Sequence, residues 1–345
     1  MRIAEVAPPW IAVPPEGYGG IELIVDVLAR GLQARGHDVT LVAPEGSTSP
    51  AEVFSPLPPA GAKAIGDAWH EAYHAVSAYQ RADEFDLVHD HTFLGPALAG
   101  MRHGRPTIVH TLHGPWDARA SAYYELVHKR VHLVAISETQ RRANDDVRYA
   151  AVIPNGIDLD RYPLHDGERD GYLVYIGRAN RDKAPELAVE LAHRAKLPLR
   201  LLVKRAEPAE QRYWKDEVLP RLGPRDEVLD EIGHDEKVEL LQRARAFVFP
   251  IRWEEPFGLV MIEALACGTP VVATPRGAAT DIVEDGVSGY LCADLGSLAG
   301  RLQQVEELSP QSCRARVEQH FSADAMLDRY ERLFHALTRE PAPNA

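Results

Sequence analysis

The sequence predicts an α/β protein built from two doubly wound, Rossmann-like domains. Its 345 residues exceed the usual size of one domain, so two cores of ordinary size are expected. Short apolar runs alternate with longer amphipathic stretches, which is typical of parallel sheets covered by helices. The alternation stops at a polar, turn-rich segment, 159–171, and then starts again. This break predicts a domain boundary near residue 160.

The predicted elements follow this alternation along the chain. The first half begins with a strand at 2–7 and an amphipathic helix at 21–35, and its further strands are predicted at 38–43, 87–89, 107–112, 133–136 and 151–153. The second half has predicted strands at 172–176, 199–203, 246–249, 270–273 and 289–292. A last helix, 323–337, has its apolar residues on one face and is expected to pack on a domain, for which the first is a candidate. The predicted division has an N-terminal domain over 1–160 and a C-terminal domain over 161–320. A helix and a disordered tail (341–345) make up the remainder, 321–345.

Composition excludes several classes of protein. The 45% of hydrophobic and 26% of charged residues are typical of a globular protein, and no eighteen apolar residues occur in a row. The net charge of −13 disfavours a general surface for nucleic acid or anionic membranes. The three cysteines show no metal-ligand spacing, and the N-terminus has no signal-peptide pattern. A cytoplasmic protein without a disulfide framework or a membrane span is therefore expected.

One segment, 252–274, is the most informative about function. It reads RWEEPFGLVMIEALACGTPVVAT, and 257–267 is apolar on every side except at Glu263, which predicts a buried helix. Pro256 suits the first turn of this helix, and Gly268 suits the left-handed turn that ends it. A buried carboxylate needs a partner, so Glu263 is expected to meet a protein cation or the hydroxyls of a ligand.

The start of this helix resembles a phosphate site. Its free amides around 257–260 favour an anion, and Glu255 lies just before them. On a helical rise of ~1.5 Å per residue, Glu255 and Glu263 are separated by roughly 10 Å, which is enough for two phosphates between two hydroxylated rings. A nucleoside diphosphate sugar has this layout. The alternative is a solvated loop acid at Glu255 and a core acid paired with an arginine at Glu263.

Three cations follow strands of the second half. Arg178 and Lys183 lie in GRANRDK, at the carboxyl end of the strand 172–176, and could clamp a diphosphate as its charge grows. Lys204 follows the next strand and is a candidate for the same pocket. An ordinary solvated loop would also explain these charges.

The first half offers weaker candidates. Gly19 and Gly20 lie between a strand and a helix, where backbone can approach a phosphate or sugar, although a plain turn explains them and no dinucleotide fingerprint is present. His89 and His91 share one face of a strand end, but no third ligand is evident, so no metal site is predicted. His113 ends another strand and would face a cleft between the domains, unless it is a structural histidine.

Together these residues resemble the family-4 retaining glycosyltransferases of GT-B fold, in which two Rossmann-like domains face each other across a cleft. The two Glu residues of that family's motif are matched by Glu255 and Glu263. The resemblance is specific over 172–292, through GR with a lysine five residues on, EEPFG and CGTPVVAT, and looser before it, through GYGGIE, RGHDV, VHTLHG, VAISE and IPNGID. One departure is Ala184, where the family usually has glycine after its lysine.

The resemblance implies a role for each site residue. Arg178 and Lys183 would bind the donor diphosphate and stabilise the leaving group, while Glu263 would hold the ribose hydroxyls. The transferred sugar would be held by Glu255 and by the backbone of Phe257, Gly258 and Leu259. His113 would lie at the C6 side of that sugar, Gly19 and Gly20 near the donor phosphates, and Gly233 at the base.

The implied activity is transfer of a hexose, with retention, from a nucleoside diphosphate to a hydroxyl acceptor, without a metal or other cofactor. UDP is expected more than GDP, and ADP stays open. A sugar-nucleotide epimerase of similar fold and a non-catalytic sugar-nucleotide-binding protein are the alternatives. Peripheral membrane contact through the basic stretch 119–142 is a further possibility, although an ordinary surface helix followed by a strand explains that stretch.

Overall fold

The computed structural model describes residues 1–17, 19–58, 65–102 and 106–339, so the predicted disordered tail at 341–345 lies outside the described residues. The chain folds into two compact units. Unit 1 comprises Met1–Ile157 together with the C-terminal segment that begins at Ala323, and unit 2 comprises Asp158–Ser322. The C-terminal helix therefore belongs to the same unit as the N-terminal residues.

Unit 1 is built on a seven-stranded parallel sheet. Its strands are β1 (Arg2–Val6), β2 (Asp38–Val42), β3 (Glu52–Phe54), β4 (Leu87–Asp90), β5 (Thr107–Leu112), β6 (His132–Ala135) and β7 (Tyr149–Val152), in the order β3-β2-β1-β4-β5-β6-β7. Its helices are α1 (Gly20–Ala34), α2 (Ala68–Gln80), α3 (Gly95–Gly100), α4 (Ala118–Val127), α5 (Glu138–Arg142) and α13 (Ala323–Arg339). The basic stretch 119–142 is thus divided among α4, β6 and α5.

Unit 2 is built on a six-stranded parallel sheet. Its strands are β8 (Leu173–Arg178), β9 (Leu199–Lys204), β10 (Asp226–Leu229), β11 (Ala246–Phe249), β12 (Val271–Ala273) and β13 (Gly289–Leu291), in the order β10-β9-β8-β11-β12-β13. Its helices are α6 (Pro185–Ala195), α7 (Pro208–Tyr213), α8 (His234–Arg243), α9 (Leu259–Ala266), α10 (Ala279–Ile282), α11 (Leu295–Arg301) and α12 (Pro310–His320). Both sheets confirm the predicted doubly wound class.

Each sheet has one point where the strand order reverses. In unit 1 it lies between β1 and β4, and in unit 2 between β8 and β11. Ligands of open parallel sheets bind beyond the carboxyl ends of the strands at such a point, because the connections leave in opposite directions there and open a crevice. These two strand ends are therefore the positions where a functional site is expected.

Two strands, β3 and β10, were not predicted from the sequence. Both lie at a sheet edge, where the burial that marks central strands is weakest. β3 has three residues, and β10 begins with Asp226 and Glu227. Neither has the apolar run on which the other predictions depended, so pairing with a neighbouring strand decides their conformation.

Helix α13 packs on α1 at a glycine. A Cβ atom on Gly31 of α1 would lie 2.3 Å from Cδ1 of Leu327, a buried residue of α13. Arg35 of the same region bonds Asp328 at 2.7 Å and Glu331 at 3.1 Å. The apolar face predicted for the last helix is therefore used within unit 1, and Gly31 permits the close approach.

Replacing Gly31 with alanine is expected to lower the free energy of unfolding by about 1 to 2 kcal/mol, because overpacking against Leu327 outweighs the helix propensity that alanine adds. Urea denaturation measures this change. Gly300→Ala is the matched control, since a Cβ on this glycine of α11 meets nothing within 4 Å and should stabilise the protein slightly. Equal stabilisation by both changes would contradict the close packing of α13.

Two expectations about the whole chain can be compared with the structure. Cys267, Cys292 and Cys313 are all free thiols, so no disulfide joins them. Among the described residues, no helix is both long enough and apolar enough to cross a membrane.

Candidate active site

Two of the predicted cations end neighbouring strands of unit 2. Arg178 is the last residue of β8 and Lys204 the last of β9, and the two are paired in register. The strands thus extend further than predicted and include both residues. Burial is the main cause that lowers the pKa of Lys204, and the charge of Arg178 lowers it further. The two cations therefore share one carboxyl-terminal edge of the sheet.

The guanidinium group of Arg178 is held by two carboxylates from the start of α7. Its Nε donates to Oε1 of Glu210 and its Nη2 to Oε1 of Glu207, both at 2.5 Å. Glu210 is buried, and its other oxygen accepts from the backbone amide of Glu207 at 3.0 Å. This orientation of Arg178 was not predicted, because the EPAE sequence indicates a helix start and not a partner for an arginine.

Lys183 contacts Glu255 directly. The Nζ atom of Lys183 donates to Oε2 of Glu255, which also accepts from Nε1 of Trp253 at 2.9 Å. The same Nζ atom lies 4.8 Å from the centre of the Trp253 ring, within cation-π range. Glu255 is only 7% exposed, so the alternative of a solvated loop acid is wrong.

The backbone after Lys183 has a conformation that suits glycine. Ala184 has φ 49° and ψ 54°, in the left-handed region, and is fully buried. An alanine there costs on the order of 1 kcal/mol, because its Cβ atom crowds the following carbonyl oxygen. The alanine that replaces the family's glycine thus adopts the left-handed conformation that glycine favours. The amide of Lys183 also donates to Oδ1 of Asn180 at 2.9 Å, which ties this turn together.

The backbone of Glu255 is approached closely by a second loop. A Cβ atom on Gly277 would lie 2.2 Å from both the nitrogen and the oxygen of Glu255, so only glycine fits. The next amide, of Ala278, donates to the Glu255 carbonyl at 2.8 Å. Sequence reasoning missed Gly277, although its place in PRGAA directly after β12 is a typical loop signal. The β12–α10 loop thus supports the Glu255 position.

Helix α9 starts later than predicted. Gly258 has φ 88°, in the left-handed region, and precedes the first helical residue, Leu259. Pro256 and Phe257 therefore lie before the helix, and the prediction of Pro256 in its first turn was wrong. The axial spacing derived for Glu255 and Glu263 does not apply either, because Glu255 is not on the helix. Gly268, with φ 82°, follows the helix as predicted.

Glu263 is buried in α9, with 3% of its surface exposed. Its Oε1 atom accepts from the hydroxyl of Tyr162 and from Nζ of Lys237, both at 2.8 Å. The predicted protein cation is therefore present, but it is a lysine and not the arginine of the alternative. The Oε2 atom is buried and has no hydrogen-bond partner within the described part of the chain. A buried carboxylate oxygen without a partner is costly unless a ligand donates to it.

Gly233 begins the helix that supplies this lysine. It caps α8, and its amide donates to Oε2 of Glu236 at 3.2 Å. Gly233 is exposed, and Lys237 lies four residues further on. Gly233, which is predicted to lie near the base, is thus about one helical turn from Lys237, the residue that donates to Glu263.

The predicted residues of unit 1 lie at the carboxyl ends of its strands. Gly19 caps α1, which starts at Gly20, and a Cβ atom on Gly19 would lie 2.7 Å from Cβ of Pro15. His113 follows β5, is half-buried, and lies with Nε2 2.8 Å from Nδ1 of His91. Burial lowers the pKa of His113 to about 3, which keeps its ring neutral.

His89 and His91 have a third neighbour that the sequence did not reveal. Glu5 of β1 lies opposite His89 of β4, and its carboxylate oxygens are 3.1 Å from Nδ1 of His89 and 3.2 Å from Nε2 of His91. A third possible ligand, which was not evident near these histidines in the sequence, is thus present. Each histidine hydrogen-bonds to Glu5, and the absence of a metal requirement stays a prediction.

Comparison with known proteins identifies the family of the chain. The family model "Glycosyl transferases group 1" matches residues 158–320, and "Glycosyltransferase Family 4" matches 18–161. The phosphatidyl-myo-inositol mannosyltransferase of Mycolicibacterium smegmatis is 29% identical over 325 residues, covering 84% of this chain and 80% of that protein.

Solved structures show the same architecture. AviGT4, a glycosyltransferase involved in avilamycin A biosynthesis, has a TM-score of 0.72 and 26% identity, with 98% of each chain covered. HepE from Anabaena, solved in complex with UDP-glucose, has a TM-score of 0.74 and 21% identity, covering 97% of this chain and 100% of that one. The chain therefore belongs to the family-4 glycosyltransferases of GT-B fold.

Proposed function

We propose that this glycosyltransferase moves a hexose from UDP to a hydroxyl acceptor, with retention of anomeric configuration and without a metal ion. The contact between Lys183 and Glu255 carries this proposal. In a nucleotide sugar the anomeric carbon is joined to the β-phosphate by one oxygen, so a phosphate-binding cation and a sugar-binding carboxylate must be neighbours. Lys183 and Glu255 have this arrangement.

The cations of unit 2 can replace a metal ion electrostatically. Negative charge grows on the diphosphate as the anomeric bond breaks, and Arg178, Lys183 and Lys204 all lie at or beyond the carboxyl ends of β8 and β9. The first-turn amides of α9, at Leu259 and Val260, have no carbonyl partner within the helix and can donate to the same oxygens. Fixed positive charge of this kind stabilises a leaving group without reorganisation.

Glu263 supplies an acceptor for the nucleoside. Its Oε1 atom is occupied by Tyr162 and Lys237, which leaves Oε2 to accept from a ribose hydroxyl. The resemblance to the family gives the same role to this residue. UDP is favoured as the nucleotide because the similarly folded HepE was solved with UDP-glucose.

The acceptor hydroxyl is proposed to attack from the face on which the diphosphate leaves. A leaving phosphate oxygen then takes the proton of the acceptor, so no enzymic base or covalent intermediate is required. Glu255 and the backbone of 257–259 hold the hexose during this step. The resemblance to the family gives His113 a role toward the C6 hydroxyl of that sugar.

Calorimetric titration in EDTA tests the donor site. UDP is expected to bind more tightly than GDP or ADP, and Glu263→Gln is expected to weaken UDP binding by about 10- to 100-fold, because a charged hydrogen bond contributes about 1.5 to 3 kcal/mol. The glutamine keeps an oxygen for Tyr162 and Lys237, so the fold is preserved. Glu239→Gln, an exposed change on α8, is the control. Unchanged affinity in Glu263→Gln, or UDP binding only with added Mg²⁺, would contradict the proposal.

A further inference from the structure

A chain of hydrogen bonds crosses unit 1 and ends at His113. It runs from Tyr330 of α13 to Thr111 (2.7 Å), from Thr111 to Nε2 of His89 (2.8 Å), and then through Glu5 and His91 to His113. All members before His113 are buried, and Glu5 and His89 have no exposed surface. The chain lies at the carboxyl ends of β1, β4 and β5, where the strand order of the sheet reverses.

Only one end of this chain reaches the surface of the unit. His113 is half-buried, whereas Tyr330 at the other end is 1% exposed. Five polar groups buried for packing alone would be replaceable by apolar side chains at little cost. A connected polar network that ends on a single accessible ring is instead suited to fixing the state of that ring.

The donors and acceptors of the chain can be assigned in order. An ionised carboxylate only accepts, so His89 donates through Nδ1 and His91 through Nε2 to the two oxygens of Glu5. A neutral His91 then has only Nδ1 as an acceptor, and Nε2 of His113 must donate to it. At the other side, Nε2 of His89 accepts from Thr111, whose oxygen accepts from Tyr330.

The backbone of His113 is held separately by a buried amide. The Nε2 atom of Gln140 donates to the carbonyl of Leu112 at 3.0 Å and to the carbonyl of Gly114 at 2.9 Å, on either side of His113. Its Oε1 atom accepts from the amide of Ile136 at 2.8 Å. Both donors and the acceptor of this side chain are used, so its orientation is determined. The position of His113 is thus fixed by Gln140 and its ring by His91.

We propose that Glu5, His91 and Gln140 are positioning residues that hold His113 as the tautomer with its proton on Nε2. Nδ1 then presents a lone pair and accepts a hydrogen bond from a hydroxyl of the transferred sugar. The hydrogen bond from the sugar hydroxyl rests on the proposed function, whereas the assignment of the tautomer does not. Glu5 is connected to His113 by two successive hydrogen bonds, through His91. Its carboxylate thereby orients a ring that it does not contact.

The tautomer can be measured directly in the full-length chain labelled with ¹⁵N in its histidine rings. Long-range ¹H–¹⁵N spectra distinguish protonated from unprotonated ring nitrogens, and His113→Asn identifies the His113 signals among the 15 histidines. We expect Nε2 of His113 to be protonated and Nδ1 unprotonated. A proton on Nδ1 in the unaltered protein would overturn the proposal, whatever its activity.

Two substitutions at His91 test the functional consequence. Phenylalanine removes the acceptor for His113, and we expect mixed His113 tautomers and a roughly tenfold lower kcat with a donor KM within about twofold. Asparagine has its side-chain oxygen near the position of Nδ1, so His91→Asn should retain the wild-type tautomer and most of kcat. His335→Asn on α13 is the control.

The outcomes separate this inference from the proposed function. Equal kcat in His91→Phe and His91→Asn would overturn the positioning role. A protein that transfers no sugar would contradict the proposed function, while the ring spectra would still decide the tautomer. If His91→Phe does not fold, the spectra of the unaltered protein remain a sufficient test.

Discussion

Replacing Lys183 with alanine is expected to lower kcat by on the order of 10²- to 10³-fold, the usual cost of removing one group that stabilises developing charge. Its ammonium group touches Glu255, so it lies where the proposed phosphate and sugar meet. Donor binding should change less, because Arg178 and Lys204 also carry positive charge at this edge. The measurement is the rate at which nucleoside diphosphate is released from the donor that the titration selects.

Alanine also leaves the buried Glu255 with fewer donors, so a second variant separates charge from structure. Lys183→Gln is neutral but can still donate to Glu255, and it should show a similar loss of kcat with a smaller loss of stability. Arg181→Ala removes an exposed positive charge from the same loop and is the matched control. A kcat for Lys183→Gln within threefold of the unaltered protein would contradict the assigned role.

Acidification from pH 7.5 to 5.5 is expected to lower the free energy of unfolding of unit 1 by roughly 3 to 5 kcal/mol. Burial lowers the pKa of His74 to about 4, and burial is the main cause that lowers those of His89, His91 and His110 to about 3. The half-buried ring of His113 is screened by solvent and adds less to the pH dependence than any of these four. Below the ordinary value of 6.5 the unfolded chain binds protons that the folded chain does not. The stability from these four rings is therefore present above pH 6.5 and is lost as the pH falls toward 3 to 4.

Three buried acids have the opposite effect on how the free energy of unfolding changes with pH. Burial raises the pKa of Asp90 to about 6 and also raises those of Glu5 and Glu71. The folded chain therefore holds protons on these groups that the unfolded chain releases, which offsets part of the histidine effect between about pH 6 and 4. The expected loss is accordingly smaller than the roughly 5 kcal/mol that four histidines alone would give at pH 5.5.

Urea denaturation at a series of pH values measures this dependence. His110→Phe removes one of the four rings and should make the change in stability between pH 6.5 and 5.5 shallower by about one proton. Phenylalanine also removes the hydrogen bond between Nε2 of His110 and the hydroxyl of Tyr124 at 3.0 Å, so the slope with pH is compared and not the absolute stability. An unfolding midpoint that is constant from pH 7.5 to 5 would contradict the prediction.

The sequence predicted those parts of the fold that local pattern decides. The strands at 107–112 and 246–249 were predicted with the bounds observed for β5 and β11. β11 reads AFVF, the continuous apolar run that is typical of a buried parallel strand. The start of α9 was predicted too early. A proline such as Pro256 is compatible with the first turn of a helix, but its presence does not show that the helix begins there. Only the left-handed conformation of Gly258, set by the loop before the helix, decides that the helix begins at Leu259.

The partners of the site residues could not be predicted. Arg178, Lys183 and Glu263 were selected from sequence, but their contacts Glu210, Glu255 and Lys237 come from other elements, between 26 and 72 residues away along the chain. No local pattern records which carboxylate meets which cation. The same holds for Glu5, which β1 places opposite His89 across 84 residues of chain.

Sequence by itself thus determined the fold class and the family and selected the residues of the candidate site, since these depend on periodicity, turn chemistry and short motifs. The tertiary structure alone decided which charges are paired, which oxygen of Glu263 has no hydrogen-bond partner among the described residues, and how His113 is held. The physical reason is that hydrogen bonds and ion pairs depend on distances of about 3 Å between side chains. The packing of whole helices and strands sets those distances, so no short stretch of sequence specifies them.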